Sequence, residues 1–548
     1  MARRPVSAKM RIILAAALVL LARPAAADAD LDRPQYICLN KAFPGGWLIN
    51  DPSTFTQSSI DAILASVGGQ RGGASRKLCV SFNAWTLIMS PANETTMLAS
   101  IDALLALSLA NELPLSISLD PTQWWDSRQD LWNWWDPTAP GYNPANAANV
   151  EWTGPSPDNA TLISWRNWGS QFRLATPHPN FASPAFREAA AASVAPLAAR
   201  IAAWYRALPV GKKWLLAYVR ATQELWVGTN YYYYAGGNAL APKNPAKDPT
   251  GGPGGSAVQL GYAAVCGSAG NGVPGCSGKP GDHLSVAQLD AVVSSFAAFA
   301  AQVLLDAGIP RSRVMVHTGT FFGRAPRCNS NCSFNSPQAA LVQGANPSWS
   351  LYGPQTSAAS NAGLATALGA VSGAAWGATE WLPFFSAGHA ESAWSDAFEG
   401  TLSFLNNRLI VVQNFESIEK DGNATAAVVA ALGGLSCVVD APTALAASVK
   451  ANAVAISWTA SPTCCVSSQI LIVSSMGLTL PNGNLAVPDV ATAQLGSDTN
   501  HYDLQLPAGM SAGEVYVQLV TYSMQGCGGP GQSFTQSVPS DALVVSLM

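Results

Sequence analysis

Short, nearly continuous apolar runs recur along this chain. They fall at residues 35–43, 78–85, 113–119, 213–219, 313–318, 348–352, 374–379 and 409–415. Between them lie longer Ala- and Leu-rich segments with amphipathic spacing, at 57–67, 96–110, 184–208, 286–307, 357–368 and 390–405. Runs that are apolar on both faces mark buried parallel strands, and helical segments between them supply the crossovers. Eight such runs predict an α/β fold, a (β/α)8 barrel over residues 28–436. An open doubly wound sheet is the other arrangement of such units. It lacks the Gly-X-Gly-X-X-Gly expected after its first strand.

Two connections are far longer than a turn. Residues 121–180 follow the third run and contain Trp124, Trp125, Trp132, Trp134, Trp135, Trp152, Trp165 and Trp168. The connection after the fourth run opens with Tyr231, Tyr232, Tyr233 and Tyr234 and continues, rich in Gly and Pro, to about residue 282. A barrel places insertions after its strands on the face that carries its active site. About half of these tryptophans are expected to pack their own loop, because loops this long need a core. The others are free to stack on a flat polar ligand and donate an indole N–H to it.

Near Cys437 the helical period stops. Alternating runs at 453–458, 469–473 and 515–522, punctuated by Gly, Pro and Ser, predict a second, all-β domain over 437–548, built as a sandwich.

The N-terminus has the pattern of a secretory signal peptide over residues 1–27. Arg3, Arg4, Lys9 and Arg11 form a basic region, residues 12–22 are apolar but short for a bilayer, and Ala25, Ala26 and Ala27 precede cleavage before Asp28. No later stretch reaches the length of a span without charge or glycine. Residues 424–439 come nearest and are broken by Gly433 and Gly434. The expectation is a secreted, extracellular protein with no membrane span.

Ten cysteines in an exported chain imply disulfides. Cys266 with Cys276, and Cys328 with Cys332, are spaced to close small loops. Cys437, Cys464, Cys465 and Cys527 can supply two more bridges, and Cys38 and Cys79 either pair or stay buried thiols. Asn93, Asn159, Asn331 and Asn423 begin glycosylation sequons. The five histidines have no ligand spacing to a Cys pair, so neither a metal nor any other cofactor is implied. A net charge of -4 without a basic stripe argues against nucleic acid. Few charges, 11% of residues, together with 18 tryptophans suit a polar, uncharged partner such as an oligo- or polysaccharide.

Two glutamates carry the candidate chemistry. Glu224 follows the fourth run within Gln223-Glu224-Leu225-Trp226, and Glu380 ends the seventh within Thr379-Glu380-Trp381. Cleavage of a glycosidic bond needs one carboxyl to protonate the leaving oxygen and one to attack the sugar or activate water. The plain alternative for each is a surface or capping residue.

With the run at 348–352 counted as the sixth strand, the order of parts in residues 34–420 resembles the large clan of (β/α)8 retaining glycoside hydrolases. That clan carries its acid/base after strand four and its nucleophile after strand seven. The resemblance implies Glu224 as general acid/base and Glu380 as nucleophile, acting on β-linked glycosides. The chain departs from the clan in having Gln223 where Asn is usual, and Asn414-Phe415-Glu416 where an aromatic often follows strand eight. Residues 441–548 resemble a fibronectin type III domain through Pro442, Trp458 and the run from Tyr516 to Tyr522, although that domain is usually free of cysteine.

Strand ends nominate the substrate-binding residues. Tyr352 is placed to hydrogen-bond Glu380 and keep it ionised, and His317 to touch the sugar or the acid/base. Asp120 either binds hydroxyls or caps the turn before Pro121. Asn83, Trp85, Trp124, Trp226, Trp376 and Trp381 are candidate subsite walls, and Gln223 an amide for a sugar hydroxyl. Arg220, inside a barrel, demands a carboxylate partner, and Glu416 is a reserve carboxylate. Competing readings are a non-catalytic carbohydrate-binding or cell-wall protein on the same scaffold, and a transglycosylase. A serine hydrolase is disfavoured because no Gly-X-Ser-X-Gly follows a strand.

Overall fold

A computed structural model describes the chain from Pro34 to Leu547. It leaves out residues 41–47, 88–92, 124, 163, 169–170, 231–257, 270–272, 280–282, 320–333, 354–361, 370–373, 384–388 and 434–442. Beyond residue 450 it leaves out 451–452, 460–465, 475–490, 497–499, 506–512, 525–533 and 537–542. The expected signal peptide, Trp124, the Tyr231–Tyr234 string, Asn331 and six of the cysteines lie outside the described residues.

Eight parallel strands close into a barrel in sequence order: β1 (Gln35–Asn40), β2 (Arg76–Trp85), β3 (Leu115–Asp120), β4 (Leu216–Arg220), β5 (Val314–Thr318), β6 (Asn346–Tyr352), β7 (Trp376–Leu382) and β8 (Asn407–Val412). Each coincides with one of the apolar runs, to within a few residues at its ends. Closure is made by β1 against β8, with Tyr36 opposite Leu409 and Leu39 opposite Val412. The sixth strand, on which the count to Glu380 depends, pairs with β5 and β7 on its two sides.

Helices cover the outside: α1 (Gln57–Ser66), α2 (Glu94–Asn111), α3 (Pro184–Ala207), α4 (Val286–Asp306), α5 (Ala362–Gly369), α6 (Glu391–Leu402) and α7 (Gly422–Gly433). Among the described residues the connection after β5 carries a single 3-10 turn, Pro337–Ala340. The helices start where the sequence offers caps. The Ser183 hydroxyl accepts from Phe186 N at the head of α3, and Ser285 with Gln288 forms a capping box at the head of α4. The apolar pattern missed α7 because its Ala-rich sequence has no polar face to set a period. By length and composition α4 could cross a membrane. In this fold it is a barrel helix, burying Leu289, Val293, Phe296 and Leu304.

Strand alternation sorts the side chains. Tyr36, Cys38, Cys79, Tyr218, Met315, Leu409 and Val411 fill the lower interior of the barrel. Ile37, Leu39, Leu78, Val80, Val316 and Ile410 point out beneath the helices. Cys38 and Cys79 stand opposite each other on β1 and β2 and form a disulfide within that interior. The Cys266–Cys276 bridge staples the connection after β4. Of the sequon asparagines, Asn159 and Asn423 are exposed.

Residues 443–547 form two antiparallel sheets. One runs in the order Thr443–Lys450, Ala453–Thr459, His501–Gln505. The other runs Ala491–Gly496, Val466–Ser474, Gly513–Met524, Phe534–Gln536, with Leu543–Leu547 also paired to Gly513–Met524. Val454, Ala455, Ile456 and Trp458 are buried along one of these strands, with Ser457 exposed between the last two.

Candidate active site

Glu380 reaches the barrel mouth through an irregularity in β7. Along β6 and β7, Trp349 opposes Ala378 but the next residue, Ser350, opposes Glu380. Against β8, Ala378 opposes Ile410 and Trp381 opposes Val412. One extra residue is therefore held at Thr379–Glu380, a β-bulge that breaks the in–out alternation. Thr379 and Glu380 both turn inward, and the Thr379 hydroxyl donates to Ser348 Oγ at 2.9 Å.

Two expected subsite walls are corrected by the structure. Trp376 and Trp381 are fully buried on the outer side of the barrel, not in the cleft. The Trp376 indole donates to Phe404 O at 2.8 Å, and that of Trp381 to Thr401 Oγ1 of α6 at 3.0 Å. Regular alternation back from Glu380 would face Trp376 inward, and the bulge turns it out; Trp381, next to Glu380, faces out in either case.

Glu224 sits where β4 is interrupted. Ala221 still bonds to Met315 O, and Leu225 resumes the ladder through His317 O at 3.0 Å. The residues between them bulge inward, with Glu224 in the left-handed region at φ 46°. Such a conformation is costly for a residue with a side chain and persists only where its surroundings enforce it. Gly319 on the adjacent strand end makes room, since a Cβ there would lie 3.1 Å from Glu224 O.

Three donors converge on the buried Glu380 carboxylate. Tyr352 donates its hydroxyl to Oε2 at 2.9 Å, Ser350 donates to the same oxygen at 3.0 Å, and the Gln223 amide donates to Oε1. Glu224 is half-buried and close enough for its charge to act on Glu380. Burial first, then the Glu224 charge, pushes the Glu380 carboxyl well above its ordinary range, and the Tyr352 and Ser350 donors oppose the rise. Like charges this close disfavour double ionisation, and burial adds to that at Glu380. Tyr352 is pushed well above its usual range by burial and by both glutamates, so it remains a donor.

Beneath the pair lies Arg220, fully buried and lowered to about 10 by burial, with Glu380 and Asp120 opposing the fall. It donates to Ser81 Oγ and Asn83 Oδ1 at 2.8 Å, to Gln223 Oε1 at 3.1 Å and to Thr379 O at 3.2 Å. The carboxylates expected for Arg220 act on it through charge, while its hydrogen bonds go to neutral groups.

The remaining nominated residues divide. Gln223 is buried and spends its amide on Arg220 and Glu380, and Asn83 accepts from Arg220. Asp120 takes the capping role, with Oδ1 accepting from Thr122 N at 3.0 Å and from the Thr122 hydroxyl at 2.6 Å. Buried His317 meets Glu224 through its backbone N–H, not its carboxyl. Trp85 is half-buried at the end of β2, and Trp226 is half-buried with its ring 5.1 Å from His178. Glu416 lies in a short turn after β8. The sequence did not single out Ser350 or Gln123, whose amide donates to Gln223 O at 2.8 Å. A serine or glutamine near a strand end carries no periodic signal.

The long connection after β3 builds its own core, as its length required. Trp125 donates to Pro177 O, Trp134 to Thr161 O and Trp152 to Ala147 O, and Trp132 stacks on Trp135 at 5.5 Å. It is tied to the connection after β4 by Glu151. The buried Oε2 of Glu151 accepts from Gly261 N at 2.8 Å and Ala263 N at 3.2 Å, at the start of the helix Tyr262–Ala269.

No family model matches the chain, and no curated protein does. Among solved structures, it is similar to the catalytic domain of a beta-amylase from Paenibacillus polymyxa. That match has 8% identity and a TM-score of 0.40, over 72% of this chain and 95% of that one. It also matches the spore cortex lytic enzyme SleM of Clostridium perfringens at 14% identity and a TM-score of 0.14, over 48% and 63% of the two chains. Likeness at this level transfers no site, so function is argued from the chain's own residues.

Proposed function

We propose that this chain is a glycoside hydrolase that cleaves β-linked glycosides or polysaccharides with retention of configuration. Glu380 is the nucleophile and Glu224 the general acid/base. The observation that carries this reading is the meeting of the two carboxyls at the C-terminal ends of β4 and β7, with three donors committed to Glu380. A carboxylate that accepts several hydrogen bonds is favoured in its ionised form, which is the form that attacks. Retaining chemistry needs a proton on the acid/base, and Glu224 stands half-buried at the mouth, where a leaving oxygen would meet it.

Retaining enzymes hold their carboxyls about 5–5.5 Å apart, close enough for direct attack, whereas inverting ones leave about 6.5–9.5 Å for a water. Glu224 lies close enough for its charge to raise the Glu380 carboxyl, which favours the first geometry. In the first step Glu380 attacks the anomeric carbon while Glu224 protonates the departing oxygen. In the second, Glu224 takes a proton from water, which displaces Glu380.

The two disulfides among the described residues and the exposed sequons at Asn159 and Asn423 support an exported glycoprotein acting on extracellular or wall polysaccharide. The two-sheet strand order beyond residue 443 supports a fibronectin type III-like module.

The deciding experiment screens the secreted protein on β-linked polysaccharides and aryl glycosides, beside Glu380→Ala and Glu224→Ala. Cleavage by wild type with a β-anomer as first product, lost in Glu380→Ala, is the expected result. Ligands bound equally by all three proteins with no cleavage would replace this reading with a carbohydrate-binding protein.

A further inference from the structure

We propose that His317 and Ser350 form a positioning relay that joins the backbone of Glu224 to the carboxylate of Glu380 and fixes the direction of every hydrogen bond between them. The inference rests on the reading of these glutamates as the catalytic pair.

The direction follows from one end. The backbone N–H of Glu224 points at His317 Nδ1 at 3.2 Å and can only donate, so Nδ1 must be the bare nitrogen. The ring proton then sits on Nε2, which faces Ser350 Oγ at 2.8 Å. With that oxygen accepting from the imidazole, the serine proton is free to be given to Glu380 Oε2 at 3.0 Å. The chain therefore runs Glu224 N–H to His317, His317 to Ser350, Ser350 to Glu380. A doubly protonated imidazole would set Nδ1–H against the Glu224 N–H and break the first link.

The surroundings keep His317 neutral and still. Its ring is fully buried and its pKa lies well below the usual value because of burial and then the Arg220 charge. The charged and titratable groups around the relay are Arg220 from β4, Glu224 beyond it, Tyr352 from β6 and Glu380 from β7, with Asp120 of β3 acting on Arg220. The His317 backbone is pinned on both sides by Thr222, whose hydroxyl donates to His317 O at 2.9 Å and accepts from His317 N at 3.0 Å. Because Glu224 is held at a positive φ, the acceptor on its N–H also helps place its carboxyl. One neutral histidine so serves both glutamates without touching either carboxyl.

Two measurements on the full chain test the relay. The first needs no substrate: histidine ring nitrogens are observed by NMR from about pH 5 to 8 after 15N-histidine labelling. One of the five histidines, absent from the spectrum of His317→Asn, should hold the Nε2–H tautomer throughout. The Nδ1–H tautomer, or titration near the ordinary value of about 6.5, would overturn the relay. The second uses a substrate cleaved by wild type but not by Glu380→Ala. Ser350→Ala loses a donor to Glu380, so the acid limb of its kcat/KM profile should move up by about one pH unit, equivalent to about a tenfold change in the ionisation constant. Its kcat should fall about tenfold with KM nearly unchanged, and Ser350→Thr, which keeps the hydroxyl, should restore the limb. An unmoved limb in Ser350→Ala overturns the relay while the glutamate assignment stands. Activity retained by Glu380→Ala overturns the assignment instead and leaves the tautomer result to decide the geometry.

Discussion

Arg220 Nη1 donates to Gln223 Oε1 at 3.1 Å, and this contact decides which end of the Gln223 amide meets Glu380. A guanidinium has no acceptor, so the amide must turn its oxygen toward Arg220 and its NH2 toward the carboxylate. An arginine that never bonds to the proposed nucleophile still orders its surroundings.

Removing this amide should weaken the ionised nucleophile. A hydrogen bond to a charged group contributes about 1.5–3 kcal/mol, so Gln223→Ala should lower kcat/KM by roughly 10- to 150-fold. Steady-state kinetics on the substrate found in the screen would check this, and a loss below about threefold would contradict it.

Trp381→Ala separates the buried position from a subsite wall. A cavity left by a fully buried tryptophan costs about 3–5 kcal/mol. The expected outcome is a large fall in thermal and denaturant midpoints, with KM of the remaining folded enzyme little changed. A normal midpoint with a raised KM would put the ring back in the cleft.

Glu151 gives the fold a pH dependence of its own. Burial raises its carboxyl to about 7, against four backbone donors that lower it. The folded state therefore binds more protons than the unfolded one between about pH 4.5 and 7, and stability falls as pH rises through that window, by at most about 1.4 kcal/mol per unit. Melting curves from pH 4.5 to 7.5 should show this decline, and Glu151→Gln should flatten it.

Gly319→Ala tests the close approach behind Glu224. Its Cβ would stand 3.1 Å from Glu224 O, so the strained segment must give way by a few tenths of an ångström. Displacements of about 1 Å at a reacting group can cost about 100-fold in rate. Gly319→Ala should therefore lower kcat by up to that factor while the melting temperature stays close to wild type.

The barrel was legible because each strand is buried on both faces and so leaves an apolar run, even at β6, where the run is shorter than the strand. The two glutamates were legible because they end such runs. The pattern misplaced Trp376 because of the bulge in β7, which no hydrophobic alternation records, and Trp381 because it stands next to Glu380 and so faces the opposite way. What it missed, Ser350 and the amide contacts of Gln223, consists of small polar groups whose value lies in partners distant in sequence, such as His317 and Arg220. Asp120 was ambiguous in the sequence because a carboxylate before Pro121 suits both a ligand and a turn, and the Thr122 contacts decide for the turn.

The extra residue in β7 also limits how this site can be re-engineered. A regular strand offers the barrel mouth every second side chain, so a nucleophile could be moved to another strand by changing one residue. Here Thr379 and Glu380 face inward together, one anchored on Ser348 and the other aimed at the cleft. The insertion adds a second inward side chain, so a carboxylate transplanted without it would leave the Thr379 anchor behind. A one-residue deletion at Thr379 would straighten β7 with Glu380 still opposite Ser350 and Trp381 still outward, and would remove the Thr379–Ser348 contact.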